Sequence, residues 1–358
     1  MLWLVGEKGG IEHVVLVIFF YVLMGLPFSW KKFAGGLMCC WVGFELELAE
    51  RVLGLSSRRA EWLSKWLHRA VEAREVRVAD LRSVLGRLSF ACSALSNFRP
   101  FLGPLFAWVS AMGKYERMKL PKLAILVMKF LSRALSGSSR AQQIGNCQGM
   151  VQEDFRTDAR AEGAEIWIGG WALDHHDRSQ CRWFAERLDH QNARWAFTAG
   201  ESYRAIASLE LLATLVAVVL FKPEGRNMLG GCCSAGTDNK GNSHVVQRCM
   251  TTKFPLCAFN MELAVQLQKR GVELHLHWLP RLQNVEADQL TNGDFSGFDT
   301  ARRLRFNLKE FRGEVLADIL EQGAELYEEV KTARLRQEER GPVKKARQSE
   351  SLKNTDPW

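Results

Sequence analysis

What the sequence lacks narrows its class before any motif is read. No Cys-x-x-Cys pair is matched by a second such pair, or by His-x-x-x-His, at zinc spacing, so no zinc-finger framework is on offer. The cysteines stand at 39, 40, 92, 147, 181, 232, 233, 249 and 257, an odd number, and no secretory signal precedes them. Reduced, buried thiols in an intracellular protein are therefore expected. Nor is there a run of the roughly 20 apolar residues that a membrane span requires. The nearest candidate, residues 14–28 (VVLVIFFYVLMGLPF), has Glu12 and His13 in front, Gly25 and Pro27 near its end, and Lys31 and Lys32 behind. It reads as a buried core helix in preference to a membrane anchor, so a membrane is disfavoured as a partner and the anchor is kept as the weaker rival. No internal repeat is apparent.

Among what is present, 358 residues suit two domains plus tails. A composition 47% apolar and 25% charged is ordinary for a folded protein. The balance of 48 basic against 40 acidic residues gives +8 and a pI near 9.1. Such a surplus favours polyanionic partners, nucleic acid first. The 12 tryptophans either stack on bases or fill cores.

Along the chain, residues 33–48 (FAGGLMCCWVGFELEL) read as a hairpin. Trp62, Leu63, Trp66, Leu67 and Ala70 then recur at helical spacing, as do Val78, Leu81, Val84, Leu85, Leu88 and Cys92. Asn97-Phe98-Arg99-Pro100 breaks the second helix, and two further helical stretches follow, to Leu135. Residues 136–154, polar and small, are the linker candidate. Beyond it the pattern turns to strands at 164–173 and 181–188, an apolar helix at 208–221 capped by Ser208, a helix near 256–270, a strand over 271–280, and a short helix capped by Asn284. From about residue 300 the chain reads as a charged helical tail, with 331–358 disordered. Alternating strands and helices of this kind predict an α/β domain with a mixed sheet.

Four acidic residues sit in contexts that invite chemistry. Glu210 lies at the start of SLELLATLVAV, either a dipole-favoured terminal charge or a cleft residue. Asp238 in GTDNKGN is an Asx-type turn or a site residue at a strand end. Asp288 in NVEADQLTN is a helix-start acid or a ligand. Asp158 in FRTDARAEG has the weakest local pattern, with Asp154 competing for its role.

In order, TDARAEG, SLELLA, GTDNKGN and W-L-P-x-x-x-N-V-E-A-D-Q-L resemble the ribonuclease H domain of retroelement reverse transcriptases over residues 155–300. That family carries Asp on the first strand, Glu in an E-L-x-A helix, T-D-N or T-D-S at the fourth strand, and N-x-x-A-D-x-L after the fifth. The resemblance implies a mixed five-stranded sheet with flanking helices, and catalytic, metal-binding roles for Asp158, Glu210, Asp238 and Asp288. Two Mg²⁺ ions, or Mn²⁺ in their place, would be the cofactors, and an RNA·DNA hybrid or other nucleic acid the substrate. Arg160, Asn239, Lys240, Arg281, Gln283 and Asn284 are the implied nucleic-acid contacts, each with solvated surface polarity as its plainer alternative. The family's mobile His is missing from PRLQNVEAD, and the fourth strand, LGGCCSAGTD, is Gly- and Cys-rich where the family is aliphatic.

Upstream, GLPFSWKKFAGGLMCCWVGFELEL resembles the end of a reverse transcriptase palm, and LRSVLGRLSFACSALSNFRPFLGPLFAWV the thumb and connection, closest in flavour to tyrosine-recombinase-type retrotransposons. The resemblance divides the chain into a palm remnant (1–52), a mostly α-helical thumb/connection (53–135), the linker, the nuclease-like domain, and the tail (301–358). Residues 1–24 hold no Asp, so the polymerase metal site is expected to be absent, which leaves room for a separate chain to supply a palm. Two rivals to an active hydrolase stay open: a decayed copy that only binds nucleic acid, and the anchored protein. The basic run at 344–347 is a weak targeting or phosphate-binding candidate.

Overall fold

The computed structural model describes residues 10–32, 35–112, 116–143, 152–197, 202–224, 231–338 and 357–358. Helix α1 (Gly10–Leu23) opens the chain, followed by strands β1 (Met38–Trp41), β2 (Phe44–Glu47) and β3 (Val52–Leu55). β1 and β2 form the expected hairpin. Trp41 faces Phe44 across a two-residue turn, and Val42 and Gly43 both take positive φ, of 50° and 87°, as a type I′ turn demands. Helix α2 (Ser57–Ala73), strand β4 (Glu75–Arg77), and helices α3 (Val78–Ala91) and α4 (Leu102–Ala111) follow. They are succeeded by β5 (Arg117–Lys119), α5 (Lys122–Ser136) and β6 (Ala141–Gln143). The face of α3 that spacing marked as apolar is the face that is buried, and Asn97–Pro100 lies in a 3₁₀ turn, Ser96–Phe101.

The second half holds β7 (Glu153–Glu162), β8 (Glu165–Ala172), β9 (Trp183–Leu188), α6 (Ile206–Phe221), β10 (Gly231–Thr237), α7 (Lys240–Arg248), α8 (Leu256–Arg270), β11 (Val272–Trp278), α9 (Val285–Thr291) and α10 (Leu316–Glu338). The strands form one mixed five-stranded sheet in the order β11-β10-β7-β8-β9. β10 runs parallel to both β11 and β7, while β8 is antiparallel to β7 and β9. Helix α6 lies across β7 and β8 and against α8, burying Leu209, Leu211, Leu212, Leu215, Val216 and Val218. With the 3₁₀ turn before it, this helix forms Tyr203–Phe221, among the described residues the one helical stretch long and apolar enough to span a bilayer, and its apolar window is 72% buried inside the protein.

Several expectations are overturned. α1 is not a core helix: it has no buried residue, and Ile11, Val15, Leu16, Phe19, Phe20 and Leu23 are exposed, because no described element packs over it. The expected linker is largely structured where it is described. Its residues 141–143 pair with β3 and satisfy their backbone groups there, and β7 already begins at Glu153; residues 144–151 lie outside the described residues. The tail is no loose appendage either. α10 continues to Glu338 because Leu316, Ile319, Leu326, Val330 and Ala333 form a buried stripe that packs on α4, α5 and α8, tying both halves into one core. Trp358 lies edge-on to Phe90, with Arg59 4.4 Å over its ring. The rest of the tail, and with it the basic run at 344–347, lies outside the described residues. Among the cysteines, Cys40 is exposed and Cys232 is disulfide-bonded, against the expectation of buried, reduced thiols.

Candidate carboxylate site

Each of the four carboxylates comes from a different element. Asp158 lies in the middle of β7, paired with Gly169 of β8 and just past the β10 pairing, which ends at Arg156; Thr291 of α9 packs against its carboxylate. Glu210 lies on α6. That helix begins at Ile206, after a 3₁₀ turn at Ser202–Ala205, so Ser208 is buried within it and is not its cap, and Glu210 sits beyond the first turn. Asp238 directly follows β10, and Asp288 lies on α9, after β11. Asp154, the rival of Asp158, is committed elsewhere: it accepts from Lys222 Nζ (2.5 Å) and from the Ser234 backbone N–H (2.9 Å).

Their electrostatics make the four one group. Asp158 is 7% exposed; burial, then the charges of Asp238 and Asp288, pushes its carboxyl up to about 7, against a hydrogen bond from Thr291 that favours the ionised form. Glu210 is 8% exposed. Burial and the charges of Asp238 and Asp158 push it up to about 8, opposed by hydrogen bonds from Asn239 and Thr237. Asp238 is raised by burial and by Asp288, with Arg281 pulling the other way. Like charges that perturb one another through a poorly solvated space behave as a coupled set and attract a cation.

Neighbouring groups fix these side chains in place. Thr291 Oγ1 donates to Asp158 Oδ2 at 2.9 Å. Asn292 Nδ2 donates to Asp288 Oδ2 at 2.9 Å, and Arg281 Nη2 donates to Asp288 Oδ1 at 2.5 Å. Thr237 and Asn239 on the β10–α7 junction reach Glu210 from the Asp238 side. Sequence reasoning missed Thr291, Asn292 and Thr237, whose only local signal is adjacency to the acidic motifs.

The expected nucleic-acid contacts divide. Lys240 is exposed beside Trp278, its Nζ 5.9 Å from the ring centre, and Gln283 is exposed while its carbonyl accepts from Arg156. Arg160 ion-pairs with Glu162, and Arg281 is engaged by Asp288. Asn239 is the N-cap of α7, accepting from Asn242 N at 3.1 Å. Asn284 cannot be a surface contact. It is 1% exposed, and its Nδ2 donates to Thr157 O at 3.1 Å, pinning the start of α9 to β7 beside Asp158. It occupies the N-cap position of α9 without making a side-chain cap. Of the small residues of β10, Gly236 sits in close quarters: a Cβ there would crowd the side-chain ends of Leu279 and Glu153, which would have to shift. His275 and His277 point outward from β11, and His277 approaches Glu153 at 3.3 Å.

The donor set is all oxygen and strongly acidic, the chemistry that suits hard divalent cations. Among the described residues, however, no group of three or more His, Cys, Asp or Glu side chains is already drawn into a metal-ready cluster. Arg281 instead supplies positive charge to Asp288, Asp158 and Asp238.

No family model and no curated protein matches the sequence. Among solved structures, ribonuclease H1 from the halophilic archaeon Halobacterium salinarum NRC-1 is similar over 39% of this chain and 95% of that one, at 15% identity and a TM-score of 0.28. A likeness that slight has no bearing on fold or chemistry. The chain's own fold is a mixed α/β arrangement with several sheets.

Proposed function

We propose that this chain is a ribonuclease H-like hydrolase of retroelement reverse transcriptase origin that cleaves the RNA strand of RNA·DNA hybrids. One observation carries the reading: Asp158, Glu210, Asp238 and Asp288, on four separate elements, are coupled electrostatically at one end of the sheet. They stand on the first strand, a following helix, the end of the fourth strand and the helix after the fifth strand of the five-stranded sheet, which is the order of the family motifs they resemble. Two Mg²⁺ or Mn²⁺ ions would supply an activated water and neutralise the leaving oxygen. The chain's part is to hold the four carboxylates. Thr291 orients Asp158, Asn292 orients Asp288, and the Thr237 and Asn239 side chains keep Glu210 turned toward Asp238. Residues 1–52 and 53–135 fit the palm and thumb/connection reading, in which a separate palm is a partner and the protein works inside the cell. In an RNA-strand cleavage assay the wild type should require Mg²⁺ or Mn²⁺, and Asp238→Asn should be inactive. Cleavage that persists in that variant would sink the assignment.

A second reading, nucleic-acid binding without turnover, is favoured by the Arg281–Asp288 pair and by the lack of a preformed ligand set among the described residues. The two readings divide on Arg281→Gln. If a cation can displace this arginine, the variant should bind Mn²⁺ several-fold more tightly in calorimetry, because a competing positive charge is gone. If neither protein binds Mn²⁺ at millimolar concentration, the binding-only reading replaces the hydrolase.

A further inference from the structure

The carboxylate site already contains a cation of the chain's own. Arg281 Nη2 donates to Asp288 Oδ1 at 2.5 Å, and its charge also acts on Asp158 and Asp238. Asn292 Nδ2 holds the other oxygen, Asp288 Oδ2, at 2.9 Å. Both oxygens of Asp288 are thus engaged by donors, and a divalent cation must compete with a guanidinium for one of them.

Backbone and side chain of Arg281 are held differently. The backbone opens a 3₁₀ turn, Arg281–Gln283, between β11 and α9. That turn and the residue after it are fastened to β7 by two hydrogen bonds. Arg156 Nη1 donates to Gln283 O at 2.5 Å, and Asn284 Nδ2 donates to Thr157 O at 3.1 Å. The arginine side chain, by contrast, is 75% exposed, against 29% for Asp288. An ion pair this open to water contributes little to stability, so exchanging its partner costs little. Lys222 shows the opposite design, 15% exposed and held on Asp154. Arg281 is therefore a movable arm on a fixed base, and its planar fork matches a phosphate as well as a carboxylate.

We propose that Arg281 is a substrate-operated gate on the metal site: a phosphate of the bound strand draws the guanidinium off Asp288, and the released carboxylate becomes available to a divalent cation. With no strand bound, the arginine neutralises Asp288 and repels a second cation from the acids around it. With a phosphate on the guanidinium, that positive charge is balanced elsewhere and the acids recover their attraction. Strand and metal then bind cooperatively, each tightening the other by the same factor. This inference rests on the hydrolase reading for both ligands and adds the residue that links them.

The test is calorimetric titration of Mn²⁺ into the full chain, with and without a saturating hybrid whose RNA strand is 2′-O-methylated against cleavage. Heats of Mn²⁺ binding to the hybrid alone are subtracted. In the wild type the hybrid should tighten Mn²⁺ binding about tenfold. Arg281→Gln should bind Mn²⁺ more tightly by itself, and the hybrid should then add less than about threefold. Arg281→Lys, which keeps a movable positive charge, should restore most of the coupling. In EDTA, Arg281→Gln should bind the hybrid with a salt dependence flatter by about one phosphate. Thermal midpoints check that the variants are folded, and an arginine with a merely structural role would move neither the coupling nor the salt dependence. Equal tightening by the hybrid in wild type and Arg281→Gln overturns the gate. So does the absence of tightening in the wild type, or an unchanged salt dependence; in each of these cases Mn²⁺ still binds and the hydrolase reading stands. If neither protein binds Mn²⁺, with or without the hybrid, the hydrolase reading falls and the gate falls with it.

Discussion

Glu262→Ala should lower the melting temperature by about 10 °C and free the last long helix from the rest of the molecule. Glu262, on α8, is 0% exposed. Its carboxylate accepts the backbone N–H groups of Glu314 (2.9 and 3.0 Å), Val315 (2.9 Å) and Leu316 (3.0 Å), and Gln266 Nε2 at 2.6 Å. Those amides are the unpaired donors at the start of α10, where an anion is also favoured by the helix dipole. Gly313, at φ 65°, brings the chain so close that a Cβ there would stand 2.6 Å from Glu262 Cδ. Arg270, 3% exposed, extends the network through Gln266 Oε1 at 2.6 Å. Truncation to Ala would leave three N–H groups, that of Leu316 buried, and a guanidinium network short of an acceptor, costing about 3–5 kcal/mol. For a chain of this size each kcal/mol is worth roughly 2–4 °C. Hydrogen exchange should show residues 316–338 losing protection first. A shift of only a degree or two would mean that α10 is held by its apolar stripe alone.

That helix also marks where the sequence was opaque. Its buried positions, Leu316, Ile319, Leu326, Val330 and Ala333, are spread among glutamates and arginines that dominate a local reading, and its cap comes from a residue 52 positions upstream of Glu314. No window of sequence contains both partners. By contrast α3 was legible because its own periodicity matches the face that packs, and the β1–β2 hairpin because its two apolar runs lie next to each other in the chain, joined by the Val42-Gly43 turn. α7 went unseen because KGNSHVVQR looks like loop until Asn239 caps it. The site was legible as four acidic motifs in order but not as geometry. That Asn284 is buried against β7, that Asp154 is occupied by Lys222, and that Arg281 leans on Asp288 are all contacts between elements far apart in the chain. α1 misled for the opposite reason: apolar all round, it reads as core wherever it is placed, and only packing could say otherwise.

Asp158→Asn should make the protein more stable at alkaline pH while reducing hybrid cleavage at least about 100-fold, since even residues that merely orient a metal ligand are worth 10–100-fold. The stability gain follows from the direction of the shifts. Asp158 is pushed up from 3.8 to about 7, and Glu210 from 4.5 to about 8, chiefly by burial. The folded protein therefore holds these protons after the unfolded chain has released its own, so stability declines as pH rises from about 4 to about 8, and stays low above that. Without divalent cation the wild type should melt several degrees lower at pH 8.5 than at pH 5.5. Asn at position 158 has no proton to lose, can still accept from Thr291, and relieves its acidic neighbours of one charge, so its melting profile over that range should be flatter. A cation bound only by the folded state should restore what ionisation removes, by about 2.7 kcal/mol at 100 times its dissociation constant. Mg²⁺ should thus raise the wild-type melting temperature most at pH 8.5, where the carboxylates are ionised, and do little for the variant. A wild-type profile that is flat from pH 5.5 to 8.5, or an equal Mg²⁺ response in both proteins, would detach Asp158 from the charged cluster. A loss of function accompanied by a gain in stability is the signature expected of a residue kept for its chemistry, since burying a carboxylate beside other carboxylates in the middle of a sheet opposes folding.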